Sequence, residues 1–463
     1  MEMNMFCHFG PNTFTGNEWG DGSEPDSLFN PTALDCRQWA AVAKAAGMKG
    51  IIVTAKHHDG FCLWPNPESR HTVRESPWKE GKGDVLRELS EACRESGLGF
   101  GVYISPWDRH APDYGTPAYN KTFANTLIDV HTRYGDIFEQ WFDGANGEGP
   151  TGRKQVYDWN AFNSTVLSLH PAAVIFSDVG PGCRWVGNEQ GRAGATCWST
   201  LNTVRPDGTP YEPGAQAPNT DILNHGERNG RHWIPAETDV SIRPGWFYRS
   251  SEHPKSLQEL LSIYYTSVGR NSLLLLNVPP DTRGLIPTED SVRLMEFRTA
   301  LDSIFAHNLA KGCLYFHRDK PPYKEVPEVV DNDFDTYLRP TEGKMPVVVT
   351  VSFDRPTDFN RIVLQEYIPQ GQRVEHFTVE VAEDTPEECE SKGRVRIYSL
   401  AEGTTIGYKR ILCTETVRNA RYITITIDQA LATPLISNIG VYMDTLFDST
   451  EINEPKPAKT SKQ

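Results

Sequence analysis

The chain has 463 residues and a formal net charge of -15, long enough for a large barrel plus a second module rather than one ordinary domain. With no lysine-arginine run and a pI near 5.4, it repels polyanions such as nucleic acid or an acidic membrane, and a neutral substrate fits it better. No apolar run approaches the roughly 18 residues that span a bilayer, and MEMNMFCHFG at the start lacks a charged n-region with a cleavage site.

Met3 to Phe9 reads as a first strand that arrives almost at once at His8. So little chain precedes it to pack a barrel's underside that upstream residues are expected to have been removed. A helix follows from Cys36 to Met48, with Trp39, Val42, Ala43 and Ala46 on one face and Gly47 where helices stop. The second strand, Gly50 to Ala55, delivers Lys56, His57, His58 and Asp59 to its carboxyl end. A helix from Asp84 to Ser96 then turns Val85, Leu86, Leu89, Ala92 and Cys93 inward, and GFGVYIS is the third strand. The nine cysteines, Cys93 among them, are scattered without a C-x-x-C pair, so neither a zinc site nor a disulfide framework is indicated.

After a helix from Thr122 to Tyr134, the run IFEQWFDGANGEG ends a fourth, β-rich strand in Asp143-Gly144. A helix over Val156 to Leu169 leads to AVIFSD as the fifth strand, followed by a loop carrying CRWVGNEQG. WIPAETD is the sixth strand, ending near Glu237. A helix over Leu257 to Val268 precedes SLLLLNVPP, the seventh, and Thr288 to Ala306 is a last helix. Continuous apolar strands alternating with amphipathic helices predict an α/β fold, a (β/α)8-like TIM-type barrel over residues 1–309, although only seven strands can be placed. Short alternating segments such as VVVTVSF, RIVLQEY, HFTVEVAE and YITITI predict a C-terminal antiparallel β-sandwich over 310–446. Residues 447–463, ending PKPAKTSKQ, read as a polar, disordered tail.

Catalytic groups in such barrels sit at the carboxyl ends of the strands, which makes Asp143 the first candidate nucleophile, against the plainer reading that it caps a turn. Trp141 lies two residues earlier and shares its strand face, an aromatic wall beside a carboxylate. Glu237, as another strand-end carboxylate, is a candidate acid/base or a partner of Arg243, with Asp239 a weaker competitor. A planar guanidinium such as Arg243 suits ring or hydroxyl oxygens as well as a surface salt bridge. Tyr103, Trp141 and Trp246 offer hydroxyl and ring contacts. His8, His57 and His58 can donate to and accept from hydroxyls. A metal-dependent hydrolase built on them is the alternative, although adjacent histidines cannot both face inward from a regular strand.

MFCHFG, KHHDGFCLW, EQWFDGANGEG, RWVGNEQG and WIPAETDVSIRPGWFY occur in that order, and the set resembles the α-L-fucosidases of glycoside hydrolase family 29. The resemblance implies a retaining exo-acting mechanism with Asp143 as nucleophile. It also implies Glu189 of the GNE sequence as acid/base; a neighbouring Trp185 would desolvate it and raise its pKa, and Glu237 ranks second, better suited to binding a sugar or holding Arg243. The three histidines would hold fucose, and Glu18 and Trp19 in GNEWG match a pair that touches the sugar. GNEQG and SIRPGWFY point to the subgroup acting on α-1,3 and α-1,4 linkages, as in Lewis-type glycans, and to fucosylated oligosaccharides or glycoconjugates as partners. A periplasmic or secreted location is implied, and no cofactor is required. VVDNDFDTYLRP and NIGVYMD resemble galactose-binding-like modules, in which Asp331, Asn332, Asp333 and Asp335 would offer oxygen ligands to a structural calcium, against ordinary turn chemistry. A catalytically dead, lectin-like homologue remains the competing reading, and the pairing of Asp143 with Glu189 speaks against it.

Overall fold

The computed structural model describes residues 2–205, 207–214, 220–316, 324–384, 395–447 and 452. The chain divides into two compact units, one of Met1–Arg192, Thr200–Leu257 and Leu273–Arg298, the other of Ala193–Ser199, Gln258–Ser272 and Thr299–Gln463.

The first unit carries a closed barrel of eight parallel strands: β1 Met3–Cys7, β2 Gly50–Lys56, β3 Gly99–Ile104, β4 Glu139–Trp141, β5 Val174–Ser177, β6 Cys183–Trp185, β7 Ala236–Ser241 and β8 Ser272–Asn277. Each pairs with its neighbour in chain order, and β8 closes on β1 from Met3↔Leu274 to Phe6↔Asn277. Alternate residues from seven strands fill the interior with Phe6, Ile52, Tyr103, Trp141, Phe176, Cys183 and Leu275, as a filled barrel requires. The intervening residues turn outward and are buried too, which is why β2 reads as an unbroken apolar run. Helix α1 (Cys36–Ala45) starts at Asp35, whose carboxylate accepts from the Arg37 and Gln38 amides. Helix α2 (Val85–Ser96) starts at Asp84 and stops at Gly97, which takes φ 70°. Helices α3 (Pro117–Arg133) and α4 (Trp159–Leu169) precede β4 and β5.

The strand that the sequence pattern does not reveal is β6. Only five residues separate it from β5, so no helix announces it. The chain leaves Ser177, doubles back so that the Gly182 amide donates to the Ile175 carbonyl at 2.9 Å, and climbs again beside β5 in the register Phe176↔Cys183. A Cβ on Gly182 would lie 2.5 Å from the Ile175 nitrogen, which only glycine avoids. Two expectations are corrected by this. The loop bearing Glu189 follows the sixth strand, not the fifth. WIPAETD is the seventh strand, and Glu237 is its second residue, inside the barrel rather than at its mouth.

The second unit contains a seven-stranded antiparallel sheet: β9 Leu314–Phe316, β10 Lys324–Glu325, β11 Val347–Glu366, β12 Val374–Asp384, β13 Val395–Gly403, β14 Arg410–Ala430 and β15 Ile436–Tyr442. Its order is β10-β9-β11-β14-β12-β13, with β15 on β11. The segments VVVTVSF and RIVLQEY are two halves of the one long strand β11, whose pairing with β14 slips between Ser352 and Arg361. Val349 and Val351 from the first half share a core with Ile362 and Leu364 from the second, so the bulged sheet folds over on itself. Asp331, Asn332, Asp333 and Asp335 are all exposed. Asp331 accepts from the Asp333 amide and the Thr336 hydroxyl at 2.8 Å each, and Asp333 accepts from the Asp335 amide at 3.0 Å, which is turn chemistry. Apart from Phe447 and Ile452, the tail expected from residue 447 lies outside the described residues. Among the described residues no helix is long and apolar enough to cross a membrane.

Candidate active site

Asp143 stands just beyond β4, at the carboxyl end of the barrel, and its oxygens are held from two sides. The Tyr103 hydroxyl donates to Oδ2 at 2.9 Å and the Ala145 amide donates to Oδ1 at 2.7 Å. Below it Trp141 lies flat on Phe176, with ring centroids 4.0 Å apart at 7°, and against Tyr103 at 5.2 Å and 26°. The β period explains the arrangement, because Glu139, Trp141 and Asp143 point to one side while Phe142 packs outward on Phe123 and Trp159.

The three histidines line the same pocket. His57 and His58 follow directly after the last residue of β2, outside the regular strand, and their rings lie 4.2 Å apart. Regular strand geometry would forbid this. His58 Nδ1 lies 2.7 Å from Ser105 Oγ, whose own hydroxyl donates to the Trp107 carbonyl, so Nδ1 carries the hydrogen and Nε2 is left as an acceptor. That Nε2 is 3.7 Å from Asp143 Oδ2. Burial outweighs the Asp143 charge and lowers the His58 pKa to about 4, and burial brings His8 to about 3. Both are neutral imidazoles at neutral pH. His8 Nδ1 is 2.9 Å from Asn277 Oδ1, and the Asn277 amide donates to Ser241 Oγ and the Trp246 carbonyl at 2.8 Å each. That orientation makes Oδ1 the acceptor and leaves His8 Nε2 able to accept a sugar hydroxyl. His57 stacks on Tyr103 at 13° and its buried Nδ1 has no partner. Three neutral imidazoles clustered beside Asp143 suit a ligand rich in hydroxyl groups.

Glu189 sits exposed on the rim, on the loop after β6, and its Oε2 accepts from the Trp246 indole at 3.2 Å. Desolvation and then the Asp143 and Glu18 charges raise its pKa. Trp246, not Trp185, is thus its aromatic partner. The Trp185 indole donates instead to Asp239 at 2.9 Å, beneath the rim. Trp19, 57% exposed, sets its edge on His58 and Trp107 at 5.4 and 5.6 Å and overhangs the pocket.

Three expected sugar contacts are committed elsewhere. The Arg243 fork grips Asp290, with Nε at 2.9 Å from Oδ2 and Nη2 at 2.7 Å from Oδ1, and also donates to the Glu252 carbonyl. It clamps the β7 loop and does not meet Glu237. Glu18 accepts the Trp246 amide at 2.9 Å and pairs with Arg249 at 2.7 Å, so it anchors the Trp246 loop. Glu237 accepts the Trp141 indole at 3.0 Å from inside the barrel. Conversely, Asn277, Trp107 and Asp178 carry no sequence-based expectation. Asp178 directly follows β5 and accepts the Gly214 amide at 2.9 Å, while burial raises it to about 6. Both Asp178 and Asn277 were detectable as polar residues ending apolar strands, the signal that marks Asp143.

Among the described residues the one group of donors close enough to hold a metal is Glu139, Cys183 and Glu237. Burial drives the Cys183 thiol well above its ordinary pKa, so it is a neutral hydrogen-bonding group rather than a thiolate. The histidines form no such group.

Residues 5–302 match the family model described as α-L-fucosidase. The chain belongs to the α-L-fucosidase family, glycoside hydrolase family 29. Among its α-L-fucosidase relatives is the Arabidopsis thaliana protein named Alpha-L-fucosidase 1, 42% identical over 453 residues, which cover 97% of this chain and 86% of that one. The fold of the family is repeated in the solved structure of SpGH29, with 36% identity, a TM-score of 0.85 and 96% of each chain covered. A Ruminococcus gnavus family 29 fucosidase solved in complex with fucose gives 32% identity, a TM-score of 0.84, and coverage of 96% of this chain and 93% of that one.

Proposed function

We propose that the protein is a retaining exo-α-L-fucosidase that removes α-1,3- or α-1,4-linked fucose from Lewis-type glycans. The observation that carries the reading is the Asp143 carboxylate, fixed by Tyr103 and the Ala145 amide beside the histidine cluster, with Glu189, whose pKa desolvation raises, held by the Trp246 indole on the rim above. In the first step an Asp143 oxygen bonds to the anomeric carbon as the bond to the glycosidic oxygen breaks. Glu189 gives its proton to that oxygen. In the second, Glu189 takes a proton from water, whose oxygen displaces Asp143 and leaves fucose with its original anomeric configuration. Neutral His8 and His58 accept sugar hydroxyls without placing a cation beside the positive charge that develops on the ring. A lectin-like pocket would need none of this proton-donating geometry.

The linkage preference is supported by the rim. The loops after β6 and β7 meet through Trp246 and Glu189, and Glu18 and Arg249 brace them, which makes a rigid wall on the leaving-group side. A branched sugar held there aligns the scissile bond, so remote binding raises the rate of bond breaking as well as affinity. The expected order of kcat/KM is a Lewis trisaccharide above 2'-fucosyllactose and above a simple aryl fucoside. A clear preference for 2'-fucosyllactose refutes the linkage assignment, and NMR detection of β-fucose as the first product refutes retention.

A further inference from the structure

Two carboxyl groups face each other inside the barrel, beneath the pocket. Glu139 on β4 and Glu237 on β7 are 2% and 1% exposed, and their oxygens and the Cys183 sulphur all lie within 4.8 Å of one another. No cation appears among the influences on either group. Two uncompensated buried carboxylates at this distance do not both ionise. Burial raises both acids, Glu139 to about 7 and Glu237, with the neighbouring Glu139 adding to it, well above the ordinary carboxylate range, so the pair shares a proton across its hydrogen bond. An apolar pair of the same volume would cost the barrel less than this acid pair, which points to a use beyond stability.

That use is legible in the contacts above the pair. Glu237 Oε1 accepts the Trp141 indole N–H at 3.0 Å. Trp141 is gripped between Phe176, 4.0 Å away, and Tyr103, 5.2 Å away, and the Tyr103 hydroxyl holds Asp143 Oδ2 at 2.9 Å. We propose that Glu139 and Glu237 form a proton-sharing positioning pair that sets the plane of Trp141 and, through the stacked Tyr103, keeps Asp143 aimed at the anomeric carbon. The inference rests on Asp143 being the nucleophile. Neither glutamate touches substrate, and both act through the ring above them.

Glu237→Gln preserves an acceptor for Trp141 and a donor to Glu139, whereas Glu237→Leu preserves neither. The glutamine variant is expected to keep close to wild-type kcat. The leucine variant is expected to lose about 10²-fold in kcat, the scale of a small misplacement of a reacting group, with KM little changed and Tm equal or higher. Loss of kcat without loss of stability is what a merely structural role does not produce. Trp141→Phe, which keeps an aromatic ring for stacking but is smaller than the indole and lacks the N–H, is expected to show a similar fall and serves if the leucine variant does not fold. Infrared difference spectra should show a protonated, water-excluded carboxyl in the wild type that Glu237→Gln removes. Wild-type kcat in a folded Glu237→Leu or Trp141→Phe protein, a glutamine variant as slow as leucine, absence of that carboxyl band, or a stoichiometric metal in the purified protein overturns the proposal. If Asp143→Gly is inactive while Glu237→Leu is fully active, the pair falls and the nucleophile stands. If Asp143→Gly turns over normally, the functional reading itself falls.

Discussion

Asp143 and Glu189, the proposed nucleophile and acid, have different surroundings. Asp143 is fixed by two donors, so Asp143→Gly should leave the fold intact and abolish turnover, with external azide restoring part of it and giving a product of inverted configuration. A rate near wild type in that variant sinks the assignment. Glu189 has a pKa raised by desolvation and by the Asp143 and Glu18 charges, so its acid form survives to higher pH than an ordinary glutamate's. kcat/KM should therefore fall as pH rises through that raised value. Glu189→Ala should slow natural oligosaccharides by about 10² to 10⁴, slow an activated aryl fucoside far less, and erase the basic limb of its pH profile. If Glu237→Ala shows that leaving-group dependence instead, the roles must be exchanged. Residue types at strand ends were legible in the sequence, but their partners were not. Nothing in SIRPGWFY tells that Arg243 will find Asp290, 47 positions away, or that Trp246 rather than Trp185 will face Glu189.

Element identity was legible wherever an apolar run alternated with a helix, and seven barrel strands followed from that. β6 was not, because three residues, Cys183–Trp185, carry no periodicity and a five-residue return replaces the helix. Missing it shifted the strand count, and Glu237 was put at the barrel mouth because the next strand was read as ending near it when it runs on to Ser241. The return depends on Gly182, where a side chain would strike the Ile175 backbone. Gly182→Ala is expected to lower Tm and, because the Glu189 loop hangs from β6, to lower kcat/KM for oligosaccharides as well. Thermal melts paired with kinetics check this, and a variant indistinguishable from wild type shows that the return can relax.

Over the whole molecule the two units rest on different chemistry. The barrel interior is rich in aromatic rings and holds hydrogen-bonded acids, whereas the sandwich core is mainly Val, Ile, Leu and Phe, with charged side chains such as Arg361 and Asp444 buried beside it. Arg361 and Asp444 are 0% exposed at the side chain and meet at 2.8 Å. Asp444 also accepts the Tyr265 hydroxyl at 2.7 Å, and Arg361 donates to the Phe447 carbonyl at 3.0 Å. Removing one partner leaves the other charged and dry, so Arg361→Met should destabilise the second unit by about 3 to 5 kcal/mol, read as a lower urea midpoint. An unchanged midpoint means that the pair contributes nothing beyond its volume. The alternating texture made this unit legible as an antiparallel sandwich, but β11 appeared as two strands because Asp354 to Asp358 reads as a turn within it.

The short return between β5 and β6 also bears on how the barrel comes to exist in time. Parallel strands ordinarily wait for a long crossover to be ordered before they can pair. β2 and β3, for instance, are separated by residues 57–98, and closing that span costs roughly 2 kcal/mol more chain entropy than closing five residues. β5 and β6 are therefore the parallel neighbours with the least entropy to lose on meeting, a nucleus onto which the remaining staves can add.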